Sequence, residues 1–333
     1  MKFLSFPRDA YSVAKEVDSG KWSRFLISLD YMYCQVRYHI TSSEYLDLQF
    51  YNYKHRYRKN FLLTYHHNEK FCKINTRGFT RSKYKFYQRI PDCFSRELIL
   101  APACGEDAFL EFCRKHKAIV TKPDGGSCGA DVSIFTYKND EQAREYFSKI
   151  SDDFVCEEFI CQHEKMTEMS PFSVNTIRIL TLLEEGEVEI ISACLKTGNR
   201  IGCIADNLRK GGVGAQIDVK TGIVSTCGFD YDGNYYVNHP LSGVQFWGFN
   251  IPNWDEAIAL VKRAHKRLPQ CQLLGWDIAI TQNGADIVEA NNRPGMRLTQ
   301  MADRIPKGEK VLRAIRNAEK KGIKFIEESS PPQ

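Results

Sequence analysis

Two β-prone runs near the C-terminal end constrain the fold of this chain more than any other feature. They read LGWDIAI (274–280) and ADIVEAN (285–291), and Gln282-Asn283-Gly284 joins them. A three-residue loop with its glycine in the left-handed region is a common hairpin connection. In that register Asp277 lies directly opposite Glu289 on the neighbouring strand. The sequence therefore predicts an antiparallel hairpin that pairs two acids.

The paired acids define a candidate metal site. Thr281 faces Ala285 in the predicted register, and Asn291 shares the face of the two acids. A two-residue Asn-Gly turn would shift the register by one residue and separate the acids. Directly opposed carboxylates repel, so this register favours a cation between them, and oxygen ligands of this kind suit magnesium. In the alternative interpretation, both acids are solvent-side residues of a surface hairpin.

A glycine-rich loop forms a second candidate site. In IVTKPDGGSCGADVSIF (119–135) a strand ends at Lys122, and a second strand starts at Val132. The loop between them contains Gly125, Gly126 and Gly129. Such a backbone can fold over a phosphate, and the lysine adds a charge. The segment matches neither a Walker loop nor G-x-G-x-x-G, and a plain hairpin is the alternative interpretation.

Two further segments place charges in apolar strands. DFVCEEFICQHE (153–164) carries Glu157 and Glu158, and its alternative interpretation is an edge strand with solvated acids. In SVNTIRILTL (173–182), Arg178 lies between isoleucines, which requires an anionic partner. A ligand or a structural salt bridge would both satisfy that requirement.

Changes in residue composition and pattern along the chain predict three lobes and a tail. We expect a helical and aromatic region at 1–95, a small lobe with the glycine loop at 96–160, a larger lobe at 161–325 and a flexible tail at 326–333. Within the larger lobe, NWDEAIALVKRAHKRL predicts a helix with a capping box formed by Asn253 and Glu256.

Composition narrows the class of protein. Hydrophobic residues make up 43% of the chain and the net charge is +5, as in ordinary globular proteins with a slight preference for anions. No run approaches the roughly 18 apolar residues of a membrane helix, and the N-terminal segment lacks a signal-peptide core. We expect a cytoplasmic protein without membrane insertion. The 12 cysteines form no C-x-x-C pair, which favours reduced, buried thiols.

The order of these segments resembles the ATP-grasp superfamily. The relevant pieces are the lysine strand with its glycine loop, E-E-F-I, S-V-N-T-I-R-I, A-D-N-L-R-K-G-G (205–212), W-D-I-A-I and E-A-N-N-R-P-G. They look most like the sugar-transfer-associated branch, over about residues 80–305. The resemblance implies an α+β fold in which two α+β lobes clamp ATP, preceded by a mostly helical N-terminal region.

The resemblance also implies roles for individual residues. Asp277, Glu289 and Asn291 match ligands of Mg²⁺, with Mn²⁺ also acceptable, while Arg178, Asn207 and Lys122 match groups around the transferred phosphate. The residues implied to contact ATP are Lys83, Lys122, Gly125, Gly126, Gly129, Glu157, Glu158, Phe159, Ile160, His163 and Glu164.

The implied reaction joins a carboxylate to an amine. The carboxylate attacks the γ-phosphate of ATP, and the amine displaces phosphate from the acylphosphate to leave an amide. By family resemblance, the acid is a small-molecule or glycan carboxylate, such as a sugar acid in surface polysaccharide assembly, and the amine is an amino acid or similar compound.

Two other functions stay open from the sequence. One is an ATP-grasp protein that binds nucleotide without chemistry. The other is a nucleic-acid or anionic-polymer binder that uses the basic, aromatic stretch 50–67, where Arg56 and Arg58 lie among tyrosines. No nucleic-acid motif occurs in the chain, so we expect no nucleic-acid partner. In the alternative interpretation this stretch is a solvated helix with a tyrosine core face.

Overall fold

The computed structural model describes residues 6–17, 20–67, 69–125, 132–150, 154–202 and 206–322. Its α-helices are α1 (Phe6–Val17), α2 (Lys21–Tyr38), α3 (Ser42–Asp47), α4 (His55–Arg58), α5 (Thr64–His67), α6 (Lys83–Arg89), α7 (Glu106–His116), α8 (Asp140–Lys149), α9 (Glu164–Met169), α10 (Trp254–Lys266), α11 (Leu298–Met301) and α12 (Gly308–Lys320). Its 3₁₀ helices are Phe50–Asn52, Lys70–Lys73, Pro91–Cys93 and Leu208–Lys210.

The strands form two antiparallel sheets. They are β1 (Leu98–Ala101), β2 (Ala118–Pro123), β3 (Ser133–Thr136), β4 (Phe154–Glu158), β5 (Thr176–Glu184), β6 (Glu187–Thr197), β7 (Val213–Ile217), β8 (Gly228–Phe229), β9 (Tyr235–Tyr236), β10 (Leu273–Thr281) and β11 (Gly284–Asn291). The four-stranded sheet has the order β1-β4-β2-β3, and the seven-stranded sheet has the order β11-β10-β5-β6-β7-β8-β9.

The N-terminal region is helical and has a core of its own. Tyr31 and Cys34 on α2 pack with Phe50 and Phe61 in one buried cluster. The stretch 50–67 breaks into short helical pieces, so the interpretation of one solvated helix is wrong. Arg58 of this stretch is buried and forms a two-pronged ion pair with Asp30, at 2.6 and 2.9 Å. That guanidinium therefore supports the fold rather than facing a polymer.

The four-stranded sheet packs against two amphipathic helices. Phe109 and Phe112 on α7 and Ala143 on α8 lie in one buried cluster with Ile119 of β2. Because the buried residues of α7 recur every three to four positions, one helix face covers the sheet. The opposite face of this sheet faces the seven-stranded sheet across a cleft.

Helix α10 covers the seven-stranded sheet. Its apolar face includes the buried residues Val261 and His265, as its spacing predicts. The predicted capping box is wrong. Asn253 has a left-handed backbone with φ 50°, and its side chain makes no capping hydrogen bond. Its amide instead donates to the carbonyl of Thr281, at 2.8 Å, which ties the start of α10 to the turn between β10 and β11.

The hairpin contains the predicted pair of acids, but its turn is shorter than predicted and one strand has a bulge. The connection is tighter than predicted, because Thr281 pairs with Gly284 and only two residues form the turn. A β-bulge between Asp277 and Ile278 then shifts the register by one, and Asp277 pairs with Glu289 as predicted. A bulge adds one residue to one strand, so it returns both acids to the same face.

A buried histidine beneath the hairpin makes stability depend on pH. His265 Nε2 donates to the carbonyl of Cys271 at 2.9 Å, and Nδ1 lies 2.7 Å from Thr181 Oγ1. Burial lowers the pKa of His265 from 6.5 to about 4. Protonation therefore favours the unfolded chain, so the stabilising effect is complete above pH 6.5 and is lost as the pH falls toward 4.

We expect this effect to remove about 3 kcal/mol of unfolding free energy across that interval. Urea unfolding at several pH values measures it. A His265→Gln variant is less stable at pH 7 and should lose less on acidification than the wild type does. Equal losses in both proteins would show that other groups carry the pH dependence.

The described cysteines agree with the prediction of reduced thiols. All ten cysteines that the structure describes are free thiols, and six of them are buried. Among the described helices, none combines the length and apolar character needed to cross a bilayer.

Candidate active site

A cavity of about 920 Å³ lies between the two sheets. Strand β2 and the end of β4 line one side, while β5, β10 and β11 line the other. Thr80 and Lys83 also line the cavity. Most of the residues singled out from the sequence therefore meet in one space, although they come from distant parts of the chain.

Asp277 is the centre of a buried ion-pair network. Arg178 donates from Nε and Nη2 to the two oxygens of Asp277, at 2.6 and 3.0 Å. Lys196 donates to the same carboxylate at 3.0 Å. Burial alone would raise the pKa of Asp277, but the charges of Arg178 and Lys196 outweigh burial and hold that pKa well below its usual range.

Glu289 and Asn291 extend this network into the cavity. Asn291 donates its amide to Glu289 Oε1 at 3.1 Å. Burial, and next the charge of Asp277, raise the pKa of Glu289. Two neighbouring carboxylates repel each other, and a cation placed between them stabilises their charged forms.

The donor set fits a hard divalent cation. Three hydrogen bonds from Arg178 and Lys196 reach the Asp277 carboxylate, which has about four acceptor positions, so about one is left. Glu289 and Asn291 add a carboxylate and an amide oxygen, and all three residues line the cavity. Within the described ranges, no cluster of three or more His, Cys, Asp or Glu side chains suits a metal. The candidate set therefore combines two carboxylates with one amide, that of Asn291.

Lys122 lies across the cavity in a second buried network. Its ammonium group is 2.5 Å from Glu157 Oε1, and Arg96 binds Glu157 Oε2 at 3.2 Å. Arg96 also pairs with Asp286 on β11, at 2.6 Å. Burial opposes ionisation of Glu157, but the charges of Lys122 and Arg96 prevail and lower its pKa. The side chain of Glu157 thus positions Lys122, and Arg96 joins the two sheets.

Lys83 lies beside the start of the glycine loop. It donates to the carbonyls of Pro123 and Asp124 at 2.9 and 3.1 Å, and it lines the cavity with Gly125. Burial, and next the charge of Lys122, lower the pKa of Lys83. Gly126 and Gly129 lie outside the described residues.

Asn207 begins a turn at the edge of the cavity. Its side chain accepts a hydrogen bond from the amide of Arg209 at 2.9 Å, and so caps the short helix Leu208–Lys210. Asp206, the preceding residue, accepts from the amide of Thr176 at 2.9 Å. Gly212 closes this turn so tightly that a Cβ there would lie 2.6 Å from the carbonyl oxygen of Asp206.

The segment after β4 crosses from one sheet to the other. Strand β4 ends at Glu158, so Phe159 and Ile160 belong to the crossing rather than to a strand as predicted. Glu158, Phe159 and Ile160 all line the cavity. His163 and Glu164 are absent from the described lining, and His163 instead accepts from Lys165 N at the start of α9.

Three charged residues of these networks carry no prediction from the sequence. They are Lys196, Arg96 and Asp206, whose carboxylate lies 3.3 Å from the ammonium group of Lys196. Lys196 follows an apolar run, IISACL (190–195), so a buried lysine was a detectable signal. Arg96 had no such signal, because its two partners come from strands that only the fold brings together.

A family model identifies the architecture. The model described as sugar-transfer associated ATP-grasp matches residues 106–313, which is more than half of the chain. The chain belongs to the sugar-transfer associated ATP-grasp family. Its α+β architecture of two sheets around a cleft, with a helical N-terminal region, is thus an ATP-grasp fold. A comparison with curated protein sequences finds no match.

Solved structures give weaker likenesses. The ATP-grasp ligase PsnB complexed with minimal precursor has 11% identity and a TM-score of 0.43, over 72% of this chain and 61% of that chain. D-alanine–D-alanine ligase from Bacillus anthracis has 14% identity and a TM-score of 0.42, over 74% and 69%. The present chain thus spans about three fifths of the length of the PsnB chain.

Proposed function

We propose that this ATP-grasp protein is an ATP- and Mg²⁺-dependent carboxylate–amine ligase that forms an amide through an acylphosphate. The observation that carries the proposal is the meeting of Asp277, Glu289 and Asn291 with Lys122 and Arg178 in one cavity. An oxygen donor set opposite buried cations is an arrangement that holds polyphosphate during phosphoryl transfer.

The cations of the cavity have distinct tasks in this proposal. Lys122 and Lys83 lie at the glycine-loop side, where they would bind phosphate oxygens of ATP. Arg178 lies beside Asp277 and would neutralise the transferred phosphoryl group. A divalent cation held by Asp277, Glu289 and Asn291 would supply additional charge neutralisation for the phosphates.

Positioning and charge neutralisation then suffice for both steps. A substrate carboxylate oxygen attacks the γ-phosphorus as the bond to the β-phosphate oxygen breaks, which releases ADP. The amine nitrogen attacks the acyl carbon, phosphate leaves and the nitrogen loses its proton. Neither step needs a covalent protein nucleophile, and the depth of the cleft limits hydrolysis of the acylphosphate.

Substrate identity is the finer part of the proposal. The family name associates this architecture with sugar transfer, so a sugar carboxylate joined to an amino acid in polysaccharide assembly is our first choice. The nucleic-acid alternative is weakened by the stretch 50–67, because Arg58 is paired internally and Phe50 and Phe61 are buried.

We expect ATP with Mg²⁺ to raise the melting temperature of the protein, and ATP alone to do so much less. A ligand at 100 times its Kd adds about 2.7 kcal/mol to the free energy of unfolding. Glu289→Gln should lose most of the Mg²⁺-dependent part, since it removes one charge from the donor set. Melting curves at millimolar ATP measure this effect.

ADP release then separates a ligase from a nucleotide sensor. Release that requires both an acid and an amine supports the ligase. Magnesium-dependent binding without ADP release across a broad panel would favour the non-catalytic alternative. No thermal shift from a folded protein would contradict the nucleotide site itself.

A further inference from the structure

Helix α2 is apolar on two opposite faces. Its inner face, which includes Tyr31, Cys34 and Tyr38, is buried in the N-terminal core. Its outer face carries six large apolar side chains with exposed fractions of 46 to 80%: Trp22, Phe25, Leu26, Leu29, Tyr33 and Val36. A helix that is apolar on both sides is typical of one packed between two layers. Among its described residues, this chain packs only against the inner face of α2.

The outer residues follow a helix-pairing pattern. Trp22, Leu26, Leu29, Tyr33 and Val36 are separated by four, three, four and three residues. This is the alternation by which one helix packs along another in a coiled coil. Tyr11, on the helix α1 that packs against α2, is 54% exposed as well. We call these five residues, together with Phe25 and Tyr11, the outer stripe.

The outer stripe is large enough for a stable interface. An aromatic side chain presents roughly 150–250 Å² when fully exposed, so the seven side chains together expose on the order of 800 Å² at the fractions observed. The largest apolar patch on a typical monomer is roughly 300–600 Å². A standard protein interface buries about 800 Å² on each partner. One further copy of the stripe would therefore cover it.

The exposed charges of α1 and α2 favour protein over an anionic lipid surface. Helix α1 exposes Asp9, Lys15 and Glu16, and α2 exposes Lys21 and Arg37, so the two helices together carry both signs. Helices that lie on anionic membranes are typically rich in Lys and Arg alone on their polar face. A surface with both signs can be complementary to itself about a two-fold axis.

We propose that two copies of this chain associate through the outer stripe, with α2 of one copy packed on α2 of the other. The interface is isologous, so each stripe contributes the same residues. The cleft between the sheets is built from other segments, and each copy keeps its own complete set of cleft residues. The proposal therefore does not depend on the proposed enzymatic function.

Sedimentation equilibrium of the full chain between 1 and 100 µM tests the association. We expect a dimer for the wild type and a monomer for Leu26→Asp/Val36→Asp, with Kd raised at least about 100-fold. Both positions are more than half exposed, so the melting temperature of the variant should not fall by more than the loss of association explains. Val237→Asp is the matched control, because Val237 is 62% exposed and lies elsewhere, after β9. It should stay dimeric.

Two results would overturn the proposal. A wild type that stays monomeric at 100 µM, or a dimer that persists in Leu26→Asp/Val36→Asp, excludes the stripe as a dimer interface. Sedimentation with vesicles of phosphatidylcholine and phosphatidylglycerol tests whether the stripe binds lipid instead. A monomeric wild type that binds these vesicles, and loses binding in the double variant, would assign the stripe to a lipid surface.

Discussion

Asp277→Asn should destabilise the folded protein by about 3–5 kcal/mol and strongly reduce the ADP production expected of the proposed ligase. The substitution leaves Arg178 without its two-pronged carboxylate partner and weakens the pairing of Lys196, and both cations are buried. Removing one partner of a buried ion pair has a cost of this size, because the remaining charge is desolvated. Activity should fall by at least about 100-fold, since the same carboxylate belongs to the proposed cation site.

Glu289→Gln separates the two roles of these acids. Glu289 is the carboxylate whose charged form is disfavoured by burial and by Asp277. Its neutralisation should therefore change the free energy of unfolding by less than about 1 kcal/mol without ligand, although activity should fall. Urea unfolding and ADP release measure the two effects. Equal stability losses in both variants would contradict the ion-pair network, and full activity in either would contradict the site.

Arg96→Leu should be the second strongly destabilising change, again by about 3–5 kcal/mol. Arg96 is buried and joins Glu157 of the four-stranded sheet to Asp286 of the seven-stranded sheet. Its loss leaves two buried carboxylates. Among the described residues, Glu157 then keeps Lys122, and Asp286 keeps the backbone amides of Ser95 and Ile287. Arg114→Leu is the control, because the Arg114–Asp140 pair is about half exposed. It should cost less than about 1 kcal/mol.

The loss from Arg96→Leu should depend on pH in a defined direction. Arg96 helps to keep the pKa of Glu157 below 4.5 in the folded protein. The stabilisation that it gives is complete above about pH 4.5 and is lost as the pH falls through the folded pKa. The difference between wild type and variant should therefore be constant from pH 7 to about pH 4.5 and shrink as the pH falls further. A difference that stays constant below pH 4.5 would show that packing of the arginine side chain, rather than its charge, stabilises the protein.

Local patterns along the chain identified the strands and helices that form the site. The β-prone runs LGWDIAI and ADIVEAN predicted β10 and β11, and NWDEAIALVKRAHKRL predicted α10. The predicted helix cap was wrong because a residue type that suits a local hydrogen bond found a more distant partner in the fold. Asn253 has the residue type of a helix cap, but its amide binds Thr281 in the β10–β11 turn instead.

The hairpin shows how a correct pairing can hide an incorrect turn. The segment Gln282-Asn283-Gly284 predicted a loop of three residues, and the turn has two. The bulge beside Ile278 is invisible in the sequence pattern, because it depends on how β11 packs rather than on a preference of any one residue. The pairing of Asp277 with Glu289 was thus predicted, while its cause was not.

By itself the sequence predicted most of the site's strands and helices, the free thiols of the described cysteines, the pairing of Asp277 with Glu289 and the resemblance to ATP-grasp proteins. These depend on residue type and short spacing, which a linear pattern records. Tertiary structure alone decided that Lys196 shares Asp277 with Arg178, that Arg96 joins the two sheets and that one face of α2 is left exposed. Charges and apolar surfaces act through space over a few ångströms, and only the fold determines which distant residues come within that range.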